Sequence, residues 1–454
     1  MNALIALLVT SAAFPLVTKG INGASLGDIS LAVSHVSCSD SNKPASILSG
    51  DYTSLPFCTL QAAVNALPKV ICYGCQDLIT VASSATVFPG ANITGFSSPI
   101  SVQQNIPGGF SLSYSAQPWK PALMIVGTPI LFTPLTGSAT GTCQTGGTGL
   151  CTVAANNLTV NDLKFSWFKI TGGTGYWAGD NNLYPIQSNT SGVITLADQI
   201  SVTTDNTTTY QIVTLNSVLD PDPSSLGQWA IGVNGNNAVI KIAGFAFDLA
   251  NLPFNLVSAN GNSSFVDLAS MMAPSGGSSN FFSPISNFNV TIEHCMSNAS
   301  SSGSSQGFQN GVLNLLGNYY YGNGGYAIRQ AENSTYGSLL VAYNFIESGI
   351  GPFVSYQDAQ QVTVSYNTLL GFGGTLVSLT DVTSSDIEAN TGTSTATHRL
   401  LTTSGIGRHH TTTDNVITGG TDDVFQYSTG YTLSTIDGAS NHREISALNE
   451  VHTQ

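Results

Sequence analysis

The chain has 454 residues, of which only 8% are charged and 42% are hydrophobic, and its formal net charge is −14. This composition argues against disorder, because disordered chains combine low hydrophobicity with high charge. It also argues against a nucleic-acid partner, since phosphate binding needs clustered basic residues and the chain has eleven Lys and Arg in all. Abundant Gly, Ser, Thr and Asn suit strands and turns rather than long helices.

The first twenty residues form an apolar run, MNALIALLVTSAAFPLVTKG. This run lacks the positively charged start of a secretory signal, its first base being Lys19, and it is too short to span a membrane. We therefore expect a buried N-terminal strand or docking segment and no membrane insertion. An export signal is the alternative interpretation.

A helix is predicted over residues 56–68. Pro56 and Thr59 stand at its start, and Pro68 ends it. Between them, apolar residues recur at helical spacing, at Leu60, Ala63, Val64 and Leu67. Such a helix would cover the apolar core and the unpaired edge at the open end of a stack of β-coils. We therefore interpret it as a capping helix.

The chain has seven cysteines, so at least one cannot join an intramolecular disulfide. Cys295, inside an apparent coil, is the expected unpaired residue. Cys72 and Cys75 form a CYGC motif without a second pair at zinc-binding spacing, so we predict no metal and no cofactor. The other four are compatible with disulfides or with buried free thiols, and these are Cys38, Cys58, Cys143 and Cys151.

Residues 79–235 alternate β-rich runs with Gly-, Pro- and Asn-rich joints, which is the pattern of coils with long insertions. After residue 288 the repeat becomes legible, because short β-segments lead into an Asn every 23 to 26 residues. Cys295 stands 23 residues before the first of them. The repeated residues are Asn318, Asn344, Asn367, Asn390 and Asn415. A fixed period in this range indicates a solenoid.

Val362, Val364 and Tyr366 are expected on one face of a strand, with polar residues between them on the other face. Stacked coils would place the repeated Asn residues above one another, so that each amide bonds the next in a structural ladder. The predicted fold is all-β, a right-handed single-stranded parallel β-helix of the pectate-lyase type with a short N-terminal capping helix.

Enzymatic chemistry has weaker support in the sequence. Polysaccharide hydrolysis needs two carboxylates roughly 5 to 9.5 Å apart, and adjacent coils lie about 4.8 Å apart. Asp358 and Asp386 are separated by nearly one period, which suggests such a pair. The full set of catalytic candidates is Asp358, Asp386, Glu388, Asp422 and Asp423. The competing interpretation is that these acids are simply solvated.

A lyase would need a base and a group that neutralises a uronate carboxylate, and the coils contain few of either. The basic residues are Arg329, Arg399, Arg408, His409 and His410, of which the last three are expected at a coil corner or a trimer contact. Aromatic residues can stack on sugars but are expected in the core or the trimer seam. They include Trp167, Trp177 and Tyr319 to Tyr321.

Two segments carry a resemblance to known proteins. PLVTKG at 15–20 resembles the opening of many phage fibre chains, and PFCTLQAAVNALPK at 56–69 resembles the helix that begins their β-helix domains. Similar helices also occur in secreted polysaccharide lyases. The chain thus resembles tail-fibre and tailspike-type virion proteins of tailed bacteriophages. The resemblance implies a homotrimer, attached to other virion proteins through its N-terminal part.

On this basis we expect an attachment segment over 1–55, a β-helix over 56–440 and a C-terminal tail over 441–454 that contacts the trimer or a partner. The leading hypothesis is a non-enzymatic structural protein of the virion that contacts the host surface, including its glycans. The alternative is a polysaccharide depolymerase, hydrolase or lyase, on the same fold, because function resides in the site rather than the fold. A weaker alternative is a secreted adhesin.

Overall fold

The structure is a computed structural model, and it describes residues 25, 27–41, 49–72, 74–98, 121–142, 151–154, 158–160, 162–173, 183–197, 203–222, 229–247, 255–260, 265–273, 280–285, 289–298, 312–321, 328–329, 337–347, 353–404, 409–419, 421–422, 425–427, 436–442 and 451–453. Several predictions fall outside these residues. They concern the segment 1–20, Cys143, Trp177, Arg408, Asp423 and most of the C-terminal tail.

The chain begins with strands of successive coils and a short helix. These elements are β1 (Ile29–Val33), β2 (Gly50–Asp51), α1 (Leu60–Ala66), β3 (Asp77–Val81), β4 (Phe88–Pro89), β5 (Ala91–Thr94) and β6 (Leu123–Gly127). The Thr59 hydroxyl caps α1 by accepting a hydrogen bond from the Ala62 amide at 3.2 Å. Leu60, Ala63 and Val64 are buried. The helix therefore forms inside the predicted range, while its role as a cap stays a prediction.

After β6 the chain leaves the coils and forms a closed barrel. The barrel strands are β7 (Ile130–Thr142), β8 (Cys151–Ala154), β9 (Trp167–Gly172), β10 (Tyr184–Asn189), β11 (Val193–Leu196) and β12 (Thr203–Thr214). They pair antiparallel in the order β10-β11-β8-β7-β12-β9 around a separate apolar core. We expected coils with long insertions here. Barrel strands and coil strands alternate buried and exposed residues in the same way, so the sequence did not reveal that these strands pair antiparallel.

The remaining elements return to the stack of coils. They are β13 (Val218–Asp220), β14 (Trp229–Asn234), β15 (Val239–Ala243), β16 (Ala246–Phe247), β17 (Asn255–Asn260), β18 (Phe265–Ala269), β19 (Met272–Ala273), β20 (Asn280–Ile285), β21 (Asn289–Glu293), β22 (Met296–Asn298), β23 (Val312–Leu316), β24 (Tyr319–Tyr321), β25 (Ile328–Arg329), β26 (Gly337–Ala342), β27 (Phe345–Glu347), β28 (Val354–Gln357), β29 (Ala359–Ser365), β30 (Thr368–Thr380), β31 (Ser384–Glu388), β32 (Thr391–Ser404), β33 (His409–Thr418), β34 (Thr421–Asp422), β35 (Phe425–Tyr427), β36 (Ile436–His442) and β37 (Val451–Thr453).

Three parallel sheets run along the stack. Sheet A contains, in order, β2-β1-β3-β6-β15-β18-β21-β23-β26-β29-β31-β33-β36. Sheet B follows it after a short turn and contains β4-β13-β16-β19-β22-β24-β27 and the first parts of β30 and β32. Sheet C is the four-stranded sheet β5-β14-β17-β20. Further along the stack, β25 pairs with β28, and β28 pairs in turn with the later part of β30, which is followed by the later part of β32, β35 and β37, while β34 also pairs with β32. The predicted all-β parallel β-helix is confirmed, and its right-handed sense stays a prediction.

The core of the stack is filled by alternate residues of these sheets. Val362 and Val364 point inward and are fully buried, as their alternation predicted. Tyr366 does not share their face, because it lies in the turn between sheets A and B with a left-handed φ of 56°. Its ring packs against an outer apolar cluster instead. β1 lies within the predicted attachment segment yet pairs in register with β3.

Four cysteines of the first coils form disulfides, Cys38 with Cys58 and Cys72 with Cys75. Cys295 is buried with a free thiol. Within the described part of the chain, no helix is long and apolar enough to cross a membrane.

Candidate functional site

The repeated Asn residues form a continuous ladder at the turn between sheets A and B. The side-chain amide of each donates to the Oδ1 of the next, at 3.0, 3.0, 2.9 and 2.8 Å from Asn318 to Asn415. Cys295 occupies the preceding rung, where its backbone amide donates to Asn318 Oδ1 at 2.9 Å. All of these side chains are buried. The ladder is therefore part of the scaffold and is closed to ligands.

The catalytic candidates do not form the pair that their spacing suggested. Asp358 lies in the turn before β29, where its backbone amide bonds Thr380, and Asp381 repeats this turn one coil later. Asp386 lies on β31 in register with Thr363 of the preceding coil. Asp358 and Asp386 therefore occupy different positions in the coil. Equivalent positions are set by the strand register, not by the number of residues between them. Asp422 lies on β34, beyond the described side chains.

Asp386 and Glu388 do share one surface, since they are two residues apart on the outer face of β31. Thr411 of the next coil donates to Asp386. Burial raises the pKa of Glu388, and the charges of Asp386 and Asp414 raise it further. The carboxylates of Asp386 and Asp414 thus lie close enough to Glu388 to disfavour its ionisation. We call Asp386, Glu388, Asp414 and the neighbouring Tyr366 the acidic notch.

The basic and aromatic candidates are dispersed. His410 was expected at a coil corner or a trimer contact, but it is buried inside the coil and its Nδ1 lies 2.9 Å from the Ser385 hydroxyl. The alternation of β33 turns it inward. His409 belongs to the same strand, Arg329 to β25 and Arg399 to β32. Tyr320 points into the core.

A buried ionic network was missed in the sequence. Lys241 Nζ lies 3.0 Å from Asp267 Oδ2 and 3.1 Å from Glu293 Oε1, on the outer face of sheet A. Burial lowers the pKa of Lys241, but the two carboxylates outweigh it and raise the pKa overall. Burial and then the Glu293 charge raise the pKa of Asp267 to about 6. The 26-residue spacing of Lys241 and Asp267 is one coil, which register confirms, whereas Glu293 lies two residues beyond Thr291, the register partner of Asp267.

The barrel docks on the outer face of sheet B. Trp167, Leu183 and Val213 of the barrel region pack there against Met296, Tyr319 and Phe345 of the coils. The Leu183 amide also donates to the Ser270 hydroxyl at 2.8 Å, and this hydroxyl donates to the Leu183 carbonyl at 3.0 Å. Tyr184 meets the His294 ring edge-on at 4.9 Å. The barrel is thus fixed to the coils by apolar packing with polar contacts at its edge.

A partly exposed group of side chains lies where the turn before β9 meets sheet B. The Phe165 ring packs against the Tyr321 ring, with centroids 4.6 Å apart and planes tilted by 40°. Lys164 Nζ bonds the Glu347 carboxylate at 3.1 Å, and the Tyr319 hydroxyl donates to the same carboxylate. Leu370 continues the outer row, because Tyr321, Glu347 and Leu370 are register partners on successive coils. We call Lys164, Phe165, Tyr321, Glu347 and Leu370 the seam cleft.

The seam cleft is accessible and locally strained. Phe165 is 37% exposed and Leu370 is 42% exposed, although both are large apolar residues. Phe165 also has a φ of 69°, a left-handed conformation that bulky residues rarely adopt. Such strain persists where the surrounding structure enforces it, and it concentrates at functional sites. The cleft combines apolar ring surface with charged groups that can exchange hydrogen bonds with a ligand.

Sequence reasoning had placed Trp167 and Tyr319 in the core or a trimer seam. Both are buried where the barrel meets the coils, in a seam within one chain. Phe165 and Lys164 were not singled out, because the partners that expose their role lie on sheet B, far along the sequence. No group of three or more His, Cys, Asp or Glu in the described part of the chain could hold a metal ion.

Comparison with known proteins assigns no family to this chain. No protein-family model matches the sequence, and no curated protein matches it. Similar solved structures include a glycoside hydrolase, with a TM-score of 0.26 and 9% identity over 88% of this chain and 96% of that one. The tailspike gp61 of Pseudomonas phage phi297 has a TM-score of 0.22 and 11% identity over 86% of this chain and 68% of that one.

A third similar structure is the Gp54 tailspike of Acinetobacter baumannii bacteriophage AP22, in complex with A. baumannii capsular saccharide. Its TM-score is 0.21, with 9% identity over 83% of this chain and 74% of that one. TM-scores this low assign neither a fold family nor a function to this chain.

Proposed function

We propose that this chain is a structural protein on the surface or tail of a phage particle and that it binds a host-surface glycan in the seam cleft. The virion assignment rests on the resemblance of residues 15–20 and 56–69 to phage fibre and tailspike chains. Attachment through the N-terminal part and assembly as a homotrimer belong to the same proposal. The mass of the assembled protein in solution tests the trimer.

The observation that carries the glycan proposal is the exposed Phe165 ring, which packs at a tilt on Tyr321 beside the Lys164–Glu347 ion pair. A sugar ring has an apolar face, which packs on aromatic side chains, and a rim of hydroxyls, which bond charged groups. The outer row also runs along the stack, so a polymer laid over it meets Tyr321, Glu347 and Leu370 in turn. An elongated ligand matches this arrangement.

The experiment is a binding assay with capsular polysaccharide and lipopolysaccharide from candidate hosts. We expect Leu370→Ala to weaken binding of the recognised glycan several-fold, whereas Leu55→Ala leaves it unchanged. Leu55 is a matched control because it is likewise exposed, at 49%, and lies in the first coil. Equal effects of the two substitutions, or no binding to any host glycan by the stable assembled protein, would refute the proposal.

A second candidate function, glycoside hydrolysis, is favoured by Asp267 and Glu293. Both contact Lys241 Nζ, so their nearest oxygens lie at most about 6 Å apart, which allows the roughly 5 to 5.5 Å separation of retaining glycosidases. Asp267 has a pKa of about 6 and a side chain that is 27% exposed, so it can hold a proton for a leaving group. Release of reducing ends that disappears in Asp267→Asn would establish this function, and intact polysaccharide after prolonged incubation would exclude it for the glycans tested.

A further inference from the structure

The turn between sheets A and B repeats in every late coil and displays one side chain per coil. Tyr343, Tyr366, Ala389 and Asp414 occupy it with φ values of 60°, 56°, 52° and 54°. The amides of the first three bond carbonyl oxygens of the next coil at 3.2, 3.1 and 3.0 Å. These four residues are therefore at equivalent positions, about 4.8 Å apart along the stack.

Within this row, Tyr366 has different neighbours on its two sides. Its ring stacks on Tyr343 with centroids 5.3 Å apart and planes 8° apart. On the other side the equivalent residue is Ala389, whose methyl group is too small to cover the ring. The second face of the Tyr366 ring therefore borders an open step of the row, one coil before Asp414.

Carboxylates surround this step. Glu388 directly precedes Ala389, and Asp386 lies beside it on the same outer face. The charges of Glu388 and Asp414 act on the Tyr366 hydroxyl and, with burial, raise its pKa. An aromatic face and carboxylates directed at one position attract an organic cation, through the negative face of the ring and through direct charge pairing.

Ser365 provides an independent observation at the same place. It is fully buried on the outer face of β29, in register with Glu388, and its hydroxyl has no hydrogen-bond partner among the described residues. A buried hydroxyl without a partner is costly, so an added hydrogen-bond donor at this position would be favourable. Its free oxygen can accept a hydrogen bond from an N–H donor.

We propose that the acidic notch binds a protonated amine of the ligand, so that the recognised glycan contains amino sugars with free amino groups. This inference deepens the proposed function and rests on it. Tyr366 of the notch and Leu370 of the seam cleft lie four residues apart on the same coil, so one glycan can contact both. The ammonium group packs on the open face of Tyr366 beside Glu388 and Asp414, with Ser365 adjacent.

The test compares glucosamine oligosaccharides with N-acetylglucosamine oligosaccharides of the same length, by calorimetric titration. We expect the free-amine oligomer to bind at least about tenfold more tightly than the acetylated one, a preference weakened by salt. Glu388→Gln should abolish the preference. Asp381→Asn removes the same charge from an exposed turn elsewhere and should keep the preference.

Equal affinity for the two oligomers in the wild-type protein, or equal losses in Glu388→Gln and Asp381→Asn, would overturn the inference. A failure of the notch assignment can be distinguished from a failure of the proposed glycan binding. If host polysaccharide binds and Tyr321→Ala prevents it while the amine preference is absent, the seam cleft stands and the notch assignment fails. If no host polysaccharide binds at all, the proposed function fails.

Discussion

The coils and the barrel satisfy their polar groups in different ways. In the late coils each Asn of the ladder bonds an identical residue one coil later, so the sequence repeats and the amides are buried. At the seam the bonds join unlike partners, Lys164 with Glu347 and Leu183 with Ser270. Repetition therefore builds the rigid scaffold, while unrepeated contacts create the exposed, ligand-accessible surface.

Asn367→Ala is the substitution expected to destabilise the coils most, because it interrupts the Asn ladder. The substitution removes the acceptor of the Asn344 amides and the donor to Val341, all of them buried. We expect a loss of about 3 kcal/mol or more in the free energy of unfolding, because buried groups lose their partners. Urea denaturation followed by circular dichroism measures it.

The control is Asn206→Ala, which removes an exposed amide from the barrel and should change the free energy by less than about 0.5 kcal/mol. If the two substitutions were equally mild, the ladder would not stabilise the coils.

A second prediction concerns a buried acid of the first coils. Burial raises the pKa of Asp77 to about 7, helped by the charge of Asp28, while a hydrogen bond from the Ile29 backbone acts in the opposite direction. The folded protein therefore holds a proton that the unfolded chain releases near pH 4. The stability associated with this proton is fully present below pH 4 and is lost as the pH rises through 7. Asp77→Asn should stabilise the protein by roughly 2 to 4 kcal/mol at pH 8 and little at pH 4. Denaturation curves at both pH values measure this, and a pH-independent difference would contradict it.

The strain at the seam gives a third, smaller effect. Phe165→Gly and Phe165→Ala both remove the ring, but only glycine tolerates the φ of 69° without strain. We expect the glycine variant to be more stable than the alanine variant by about 1 kcal/mol in thermal unfolding. Both should lose glycan affinity equally. A more stable alanine variant would show that the turn relaxes and that no strain is held there.

The smallest effect on stability is expected for Lys164→Ala. Lys164 and Glu347 are 31% and 23% exposed, so solvent screens their attraction. The free energy of unfolding should change by less than about 1 kcal/mol. Glycan binding should nevertheless weaken, which separates a binding role from a structural one. A large loss of stability with unchanged binding would make the ion pair a structural clamp.

The sequence revealed those parts of the molecule that repeat. The Asn period predicted the parallel coils after residue 288, since a buried rung must recur at every turn. The barrel was not foreseen, because its strands alternate like coil strands and its partners are set by long-range pairing. Asp358 and Asp386 were paired by counting residues, whereas register places Asp386 opposite Thr363. Lys241 and Asp267 were legible as a 26-residue spacing, but only the contacts show that they interact and that Glu293 joins them.

The most direct test of the account is residue-resolved footprinting of the protein with and without its host polysaccharide, using hydroxyl-radical oxidation read by mass spectrometry. The account predicts that bound polysaccharide protects Phe165, Tyr321 and Leu370 from oxidation while exposed Leu55 stays reactive. Saturating polysaccharide that leaves these three residues as reactive as in the free protein would place the ligand elsewhere and contradict the seam cleft as its site.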